Sequence, residues 1–353
     1  MSASHQWQSV ADGLHAWIHP IGDWGWSNAG LLTTPAGALL IDTQWDERRT
    51  RDMLEIAPIP LGTRIETLVL THGDGDHVWG NRAVGADAII ASNATAAHME
   101  SEDPGRFGRT AQLVAGIARA PVPGLPGPAG RLKELSVFAR YMTRMTAPWA
   151  YGEVVRTGPT RTFDGEIELE IGGRTVRLVD VGSAHSPGDT FVHLPEAGIV
   201  FAGDLLFVGV APVMWIGPAT NWIAALDRLA ALEPTHIVPG HGRIADTADL
   251  TVLRDYWSWA IEVGEAGRAA KRSPAATALA AIRSAEHELA PWGTWWSPER
   301  LVISLTALER EAQGRGPIHS LVDRARVMAA TAGVAQQLRA EGLTTTSFGP
   351  PGA

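Results

Sequence analysis

Along the first 245 positions, apolar residues come in short runs broken by glycine-rich turns; beyond them the spacing is helical. A short run of branched apolar residues bounded by turn residues reads as a buried strand. Residues 14–19 and 30–41 fit, the second folded at Thr34-Pro35-Ala36-Gly37 into a hairpin that Asp42 ends. Residues 46–57 have an amphipathic helical period, with Asp46 and Glu47 favourably placed in the first turn. Thr67–Leu70 and Ala88–Ala91 predict further strands, and His77–Asn81 the opening of a helix. Strands are predicted again at 166–171 and 174–181, joined by Gly172-Gly173, then at Gly198–Ala202 and His236–Val238, with a helix at 221–232 between these last two.

Residues 95–160 interrupt this pattern with helical patches at 109–119 and 131–145 flanking a proline-glycine loop, Ala120–Pro128, that cannot take regular structure. This segment reads as an insertion serving either as a dimer surface or as a lid over a pocket. After 246 the helical stretches are 249–270, 275–289, 298–313 and 317–340, broken by the tryptophan-rich Ala290–Trp296. The expected organisation is a catalytic domain over 1–245, a helical extension over 246–343 and a disordered tail over 344–353.

The candidate chemistry sits where the strands end. Thr71-His72-Gly73-Asp74-Gly75-Asp76-His77 places four metal-binding side chains within six residues, with two glycines that let the backbone turn tightly. A calcium loop is excluded because Val78 stands where a third oxygen ligand would fall. Three later apolar runs lead into glycine-containing loops carrying His185, Asp204 and His241. Loops at strand ends converge in layered α/β proteins, so the four junctions together predict one metal site. Asp189, shortly after His185, is a candidate carboxylate partner behind a ligand, or else a turn residue.

Composition narrows the classes. Acids exceed bases by 38 to 29, a formal charge of −9 with no basic block, which argues against nucleic acid or an anionic membrane as partner. The chain has no cysteine, hence no thiolate ligand and no thiol nucleophile. Met1–Ile18 lacks the pattern of a secretory signal, and Ile199–Ile216 is interrupted by Asp204, glycines and Pro212, so a soluble, cytoplasmic protein is expected. Of the 14 tryptophans, Trp79, Trp215, Trp24 and Trp26 fall near ligand loops as candidate substrate-binding residues, plain packing being the competing reading.

His72, Asp76, His77, His185, Asp204 and His241, with the contexts Ala184–Asp189, Phe201–Asp204 and Val238–Gly242, resemble the metallo-β-lactamase superfamily with its glyoxalase II-like hydrolases. The resemblance spans about residues 10–245 and implies an α/β fold, a four-layer αββα sandwich, with two metal ions at one edge. His72, position 74 and His185 would form one site. Asp76, His77 and His241 would form the other, and Asp204 would bridge them. The departure is Asp74, where the family usually has histidine. An added carboxylate makes the cluster more neutral and shifts preference from zinc towards iron or manganese. Asp74 either ligates or accepts a hydrogen bond behind the ligands.

The expected activity is dinuclear, metal-dependent hydrolysis of a small, partly apolar ester, lactone, thioester or amide by a metal-bridging hydroxide. Asp76 would orient the nucleophile and Asp204 set the metal spacing; zinc is the expected ion. Asp74 motivates the alternative, an oxygen-using di-iron or iron–manganese oxidoreductase. The expected partner is a small-molecule substrate, with a homodimer as an open possibility.

Overall fold

Alternation along the strands explains the layering. In Ala38-Leu39-Leu40-Ile41, Leu39 and Ile41 pack into one apolar core while Ala38 and Leu40 pack into another. Ile199-Val200-Phe201-Ala202 divides the same way, Ile199 and Phe201 sharing the core of Leu39 and Ile41. Side chains of a strand point to opposite faces, so a strand buried on both sides belongs to a sheet with one face on a second sheet and the other under helices.

The computed structural model describes residues 5–119, 129–318 and 320–343. Ala120–Pro128 and the tail Thr344–Ala353, whose structure the sequence reading anticipated, lie outside the described residues. The strands are β1 (Gln6–Ala11), β2 (Leu14–Ile18), β3 (Ala29–Thr34), β4 (Gly37–Ile41), β5 (Ile65–Val69), β6 (Ala88–Ser92), β7 (Arg161–Phe163), β8 (Glu166–Ile171), β9 (Arg174–Asp180), β10 (Thr190–Leu194), β11 (Ile199–Phe207) and β12 (His236–His241). One sheet runs β1 to β7 in sequence order, antiparallel to β4 and parallel from there; the other has the order β12-β11-β10-β9-β8. Between them lies the shared core of Leu14, Leu32, Val69, Leu178, Val192 and Val238.

The helices are α1 (Glu47–Glu55), α2 (Gly75–Val78), α3 (Asn81–Val84), α4 (Asn93–Ser101), α5 (Pro104–Arg119), α6 (Ala129–Thr146), α7 (Ala219–Ala230), α8 (Thr247–Ala269), α9 (Pro274–Ile282), α10 (Ala285–Leu289), α11 (Leu301–Ala312) and α12 (Leu321–Ala340). The fold is thus the αββα sandwich with a helical insertion, α4 to α6, and a helical C-terminal extension, α8 to α12. Among the described residues no helix is long and apolar enough to cross a membrane.

Four expectations change in detail. Asp46 is the N-cap of α1, not part of its first turn: its carboxylate accepts from Arg49 N at 2.7 Å and from Ala150 N at 2.8 Å, tying the end of the insertion to the core. The helix expected to open at His77 opens at Gly75. The stretch 275–289 is two helices, because Ser284 stops one and caps the next through His287 N. Asp204 does not follow its strand but lies within β11, where Gly203 takes φ +52° and the pairing with β12 slips out of register.

The extension closes on the sandwich. Trp296 donates its N–H to Gly209 O and accepts from Ala211 N, both at 2.9 Å, immediately downstream of β11. Trp292 and Trp295 bury their rings against Tyr256 of α8. The extension therefore reaches the edge at which the ligand loops converge.

Candidate metal centre

Three groups of side chains place ligand atoms within 4.8 Å of one another: His72, Asp74 and His185; His72, His77 and Asp204; and Asp76, His77 and His241. Asp204 stands among them all. Its carboxylate oxygens lie 3.2 Å from His77 Nε2, 3.3 Å from His185 Nε2, 3.5 Å from His241 Nε2 and 3.8 Å from His72 Nε2. The structure thus brings together all seven residues that the strand-end pattern singled out.

The local fold orients the rings. His77 Nδ1 lies 2.9 Å from Asp42 Oδ2, and His185 Nδ1 2.6 Å from Val213 O. Carboxylates and carbonyls only accept, so both rings carry a proton on Nδ1 and direct Nε2 inward. Thr71 gives its hydroxyl proton to Asp42 Oδ2 at 2.7 Å, which leaves its oxygen to accept from His72 Nδ1 at 3.0 Å. Asp42 also accepts from Thr71 N at 2.8 Å and adopts φ +60°, a strained backbone for a residue other than glycine. His241 stacks on Phe207, and Asn28 donates to the carbonyls of Pro239 and Gly242 on either side of it.

Asp74 is the N-cap of α2, yet its carboxylate makes no capping hydrogen bond. Instead Oδ2 lies 3.0 Å from His185 Nε2, and Oδ1 3.7 Å from Nδ1 of buried His98 on α4. His98 Nε2 in turn lies 3.6 Å from Glu102. Asp189 does not reach the His185 ring. It accepts from Ala184 N at 3.0 Å, from Ser186 N at 3.0 Å and from Ser186 Oγ at 2.8 Å, so it holds the loop that carries His185. Burial pushes its carboxyl up to about 6.

The buried carboxylates and His185 hold one another in their charged forms. Burial opposes ionisation of Asp204 and Asp74, but the surrounding histidines outweigh it and hold both carboxyls well below their usual range. Burial likewise opposes protonation of His185, but Asp204 and Asp74 raise it to about 10. His72 Nε2, His77 Nε2 and Asp204 Oδ1 are buried without a hydrogen-bond partner. Inward imidazole nitrogens and ionised carboxylates with orphaned atoms fit divalent transition metals.

A pocket of about 130 Å³ opens above the cluster. Trp24, Trp79 and Trp215 line it, as anticipated; so do Trp45, Phe107 and Phe207, which sequence reading did not select. Trp26 is not among the lining residues. Its ring is taken up by His19, Trp149 and the Arg49 guanidinium, two positions on from Trp24 across a turn in which Gly25 takes φ +73°. The pocket wall also contains Arg300 and Arg324 from the extension. Buried Arg300 stacks 4.3 Å over Trp24, donates to Ala211 O at 3.3 Å and pairs with Asp23 at 3.3 Å, leaving its Nε without a partner. Asp42, by contrast, was detectable in principle, since it too follows an apolar strand.

The family profile described as "Metallo-beta-lactamase superfamily" matches residues 22–241, and the chain belongs to that superfamily. The alpha subunit of a 2,4-dinitroanisole O-demethylase from Nocardioides sp. (strain JS1661) is 33% identical over 88 residues, 23% of this chain and 26% of that one. A hydroxyacylglutathione hydrolase from Erythrobacter litoralis (strain HTCC2594) is 36% identical over 88 residues, 25% of this chain and 35% of that one. The chain therefore spans about a quarter to a third of the length of these two relatives. The solved structure of the sec-alkylsulfatase Pisa1 from Pseudomonas sp. superposes with a TM-score of 0.61 at 14% identity, covering 88% of this chain and 50% of that one, which shows a shared fold.

Proposed function

We propose that this protein is a dinuclear metal-dependent hydrolase of a small, partly apolar substrate carrying an ester, lactone, thioester or amide. The observation that carries the reading is Asp204, which stands within 3.8 Å of histidines from both ligand groups at the floor of an aromatic pocket. Two divalent ions bound there, zinc first among them, would supply an activated water and polarise the substrate's carbonyl oxygen.

The chain's own residues do the rest. His72, Asp74 and His185 would hold one ion, Asp76, His77 and His241 the other, and Asp204 would span both. Asp76 has its Oδ2 3.5 Å from His241 Nε2 and borders the pocket, so its carboxylate is placed to take a proton from water and return it to the leaving group. Trp24, Trp45 and Trp79 exclude bulk water and offer flat apolar surface.

Asp74 supports a second reading, an oxygen-using iron or iron–manganese oxidoreductase, because its carboxylate lies among the ligands of the first group. Metal content by plasma mass spectrometry separates the two, on protein purified without chelators from medium containing both zinc and iron. Two zincs per chain, with turnover in a panel of lactones, esters and thioesters, supports the hydrolase. The panel extends to aryl methyl ethers and alkyl sulfates, the chemistries named for the demethylase and sulfatase relatives. Two irons, with oxygen consumption in the presence of a reductant and no turnover in the panel, overturns it.

A further inference from the structure

We infer that the pocket over the metal centre continues into a second, apolar chamber that takes an extended hydrocarbon chain of the substrate. This deepens the hydrolase reading and rests on it for the reaction, though not for binding.

The chamber measures about 180 Å³ and lies between α5, α6 and α12. Val114 of α5, Phe138 and Met142 of α6 and Met328 of α12 supply apolar walls. It shares Trp24, Glu102, Phe107, Met145, Trp215 and Arg324 with the pocket above the metal ligands, so the two spaces meet at a common boundary. Charge at that boundary is already matched. Arg324 pairs with Glu102 at 3.0 Å, donates to Ile318 O at 3.4 Å and lies 5.5 Å over Trp215, while Glu102 also faces His98. A neutralised ion pair held from three sides can flank an apolar chain without demanding a charged partner.

The occupant follows from shape and chemistry. Beyond the shared boundary the lining is mostly apolar, with Val114, Phe138, Met142 and Met328, two threonines, and Asp103 and Arg106 as the charged residues. Methionine is unbranched and adapts to a chain of variable length. Leu321 and Ala325 at the start of α12 also line the chamber, and Leu321 is 56% exposed, so a chain of several carbons fits inside and a longer one meets an apolar side chain at the surface. Both sides of the chamber are built by segments outside the ligand-bearing core, namely the insertion and the extension.

Two series test this on the intact protein. In the first, Kd values of butyrate and decanoate are measured by calorimetry for wild type, Met328→Trp and Ala325→Trp, with metal content and circular dichroism as folding controls. In the second, kcat/KM is compared for p-nitrophenyl acetate, butyrate and octanoate, and for acetate esters of ethanol and octanol, which tell an acyl chain from an alkyl one. The expected wild-type result is a gain of about threefold to fourfold per added methylene in binding and turnover. Filling the chamber from either position should cut the decanoate-to-butyrate preference at least tenfold. An unchanged preference in both folded variants, or no length dependence in wild type, overturns the chamber. If no ester is hydrolysed but decanoate binds with the expected dependence, the chamber stands and the hydrolase reading fails.

Discussion

Asp74 Oδ2 sits 3.0 Å from His185 Nε2, so an N-cap carboxylate faces a histidine across the metal centre instead of capping its own helix. A capping aspartate usually contributes about 1 kcal/mol to its helix. That contribution is given up here, and the carboxylate is available to a metal. Asp74→His should raise the zinc-to-iron ratio of protein grown in both metals several-fold over wild type. Plasma mass spectrometry reads the ratio, and an unchanged value would remove Asp74 from the ligand set.

Asp204 lies within 3.8 Å of His72, His77, His185 and His241. Asp204→Ala should bring metal content below one ion per chain and lower turnover by more than about 100-fold. Survival of both would mean that the ligand assignment is wrong.

Asp42 touches no ligand atom aimed at the metal, yet it accepts from Thr71 N, Thr71 Oγ and His77 Nδ1. Asp42→Asn keeps the shape and removes the charge that fixes the His77 tautomer. Metal affinity should fall roughly 10- to 100-fold, measured by competition with a chromophoric chelator. Far-UV circular dichroism should hardly change, which separates this outcome from general unfolding.

His5 lies in an aromatic nest, stacked on Trp17 at 5.2 Å and close to His19 and Trp26. Burial, helped by the Arg49 charge, pushes its pKa from 6.5 to about 4. A histidine depressed in the folded state binds its proton more readily when unfolded. Its neutral form therefore supports folding fully above pH 6.5, and this support drains away as pH falls towards about 4. His5→Phe keeps the stacking and should flatten that acid loss by on the order of 2–3 kcal/mol, read from urea midpoints at pH 7 and pH 4.5. An identical pH slope in the variant would show that His5 does not titrate in this range.

The candidate metal ligands were visible in the chain because they fall at the ends of short apolar strands with glycine nearby, a local pattern. Asp204 shows where that pattern misleads. The strand does not stop before it but bulges at Gly203, and a register slip between β11 and β12 cannot be seen in either strand alone. The tryptophans mark the same limit. Trp24 and Trp26 look alike in sequence, yet only Trp24 lines the pocket, since the alternate position is claimed by His19, Trp149 and Arg49.

By itself the sequence determined which side chains can bind metal, that none is a thiolate, and that the apolar runs leading to them are buried strands. These depend on residue type and on spacing within a few positions. Only the tertiary structure decided that Asp42 steers His77, that His98 stands behind Asp74, and that Arg300 and Arg324 reach the pocket from helices far along the chain. Those relationships are contacts between distant segments. They are set by how two sheets and their helices pack, and no local period encodes which side chain will meet which.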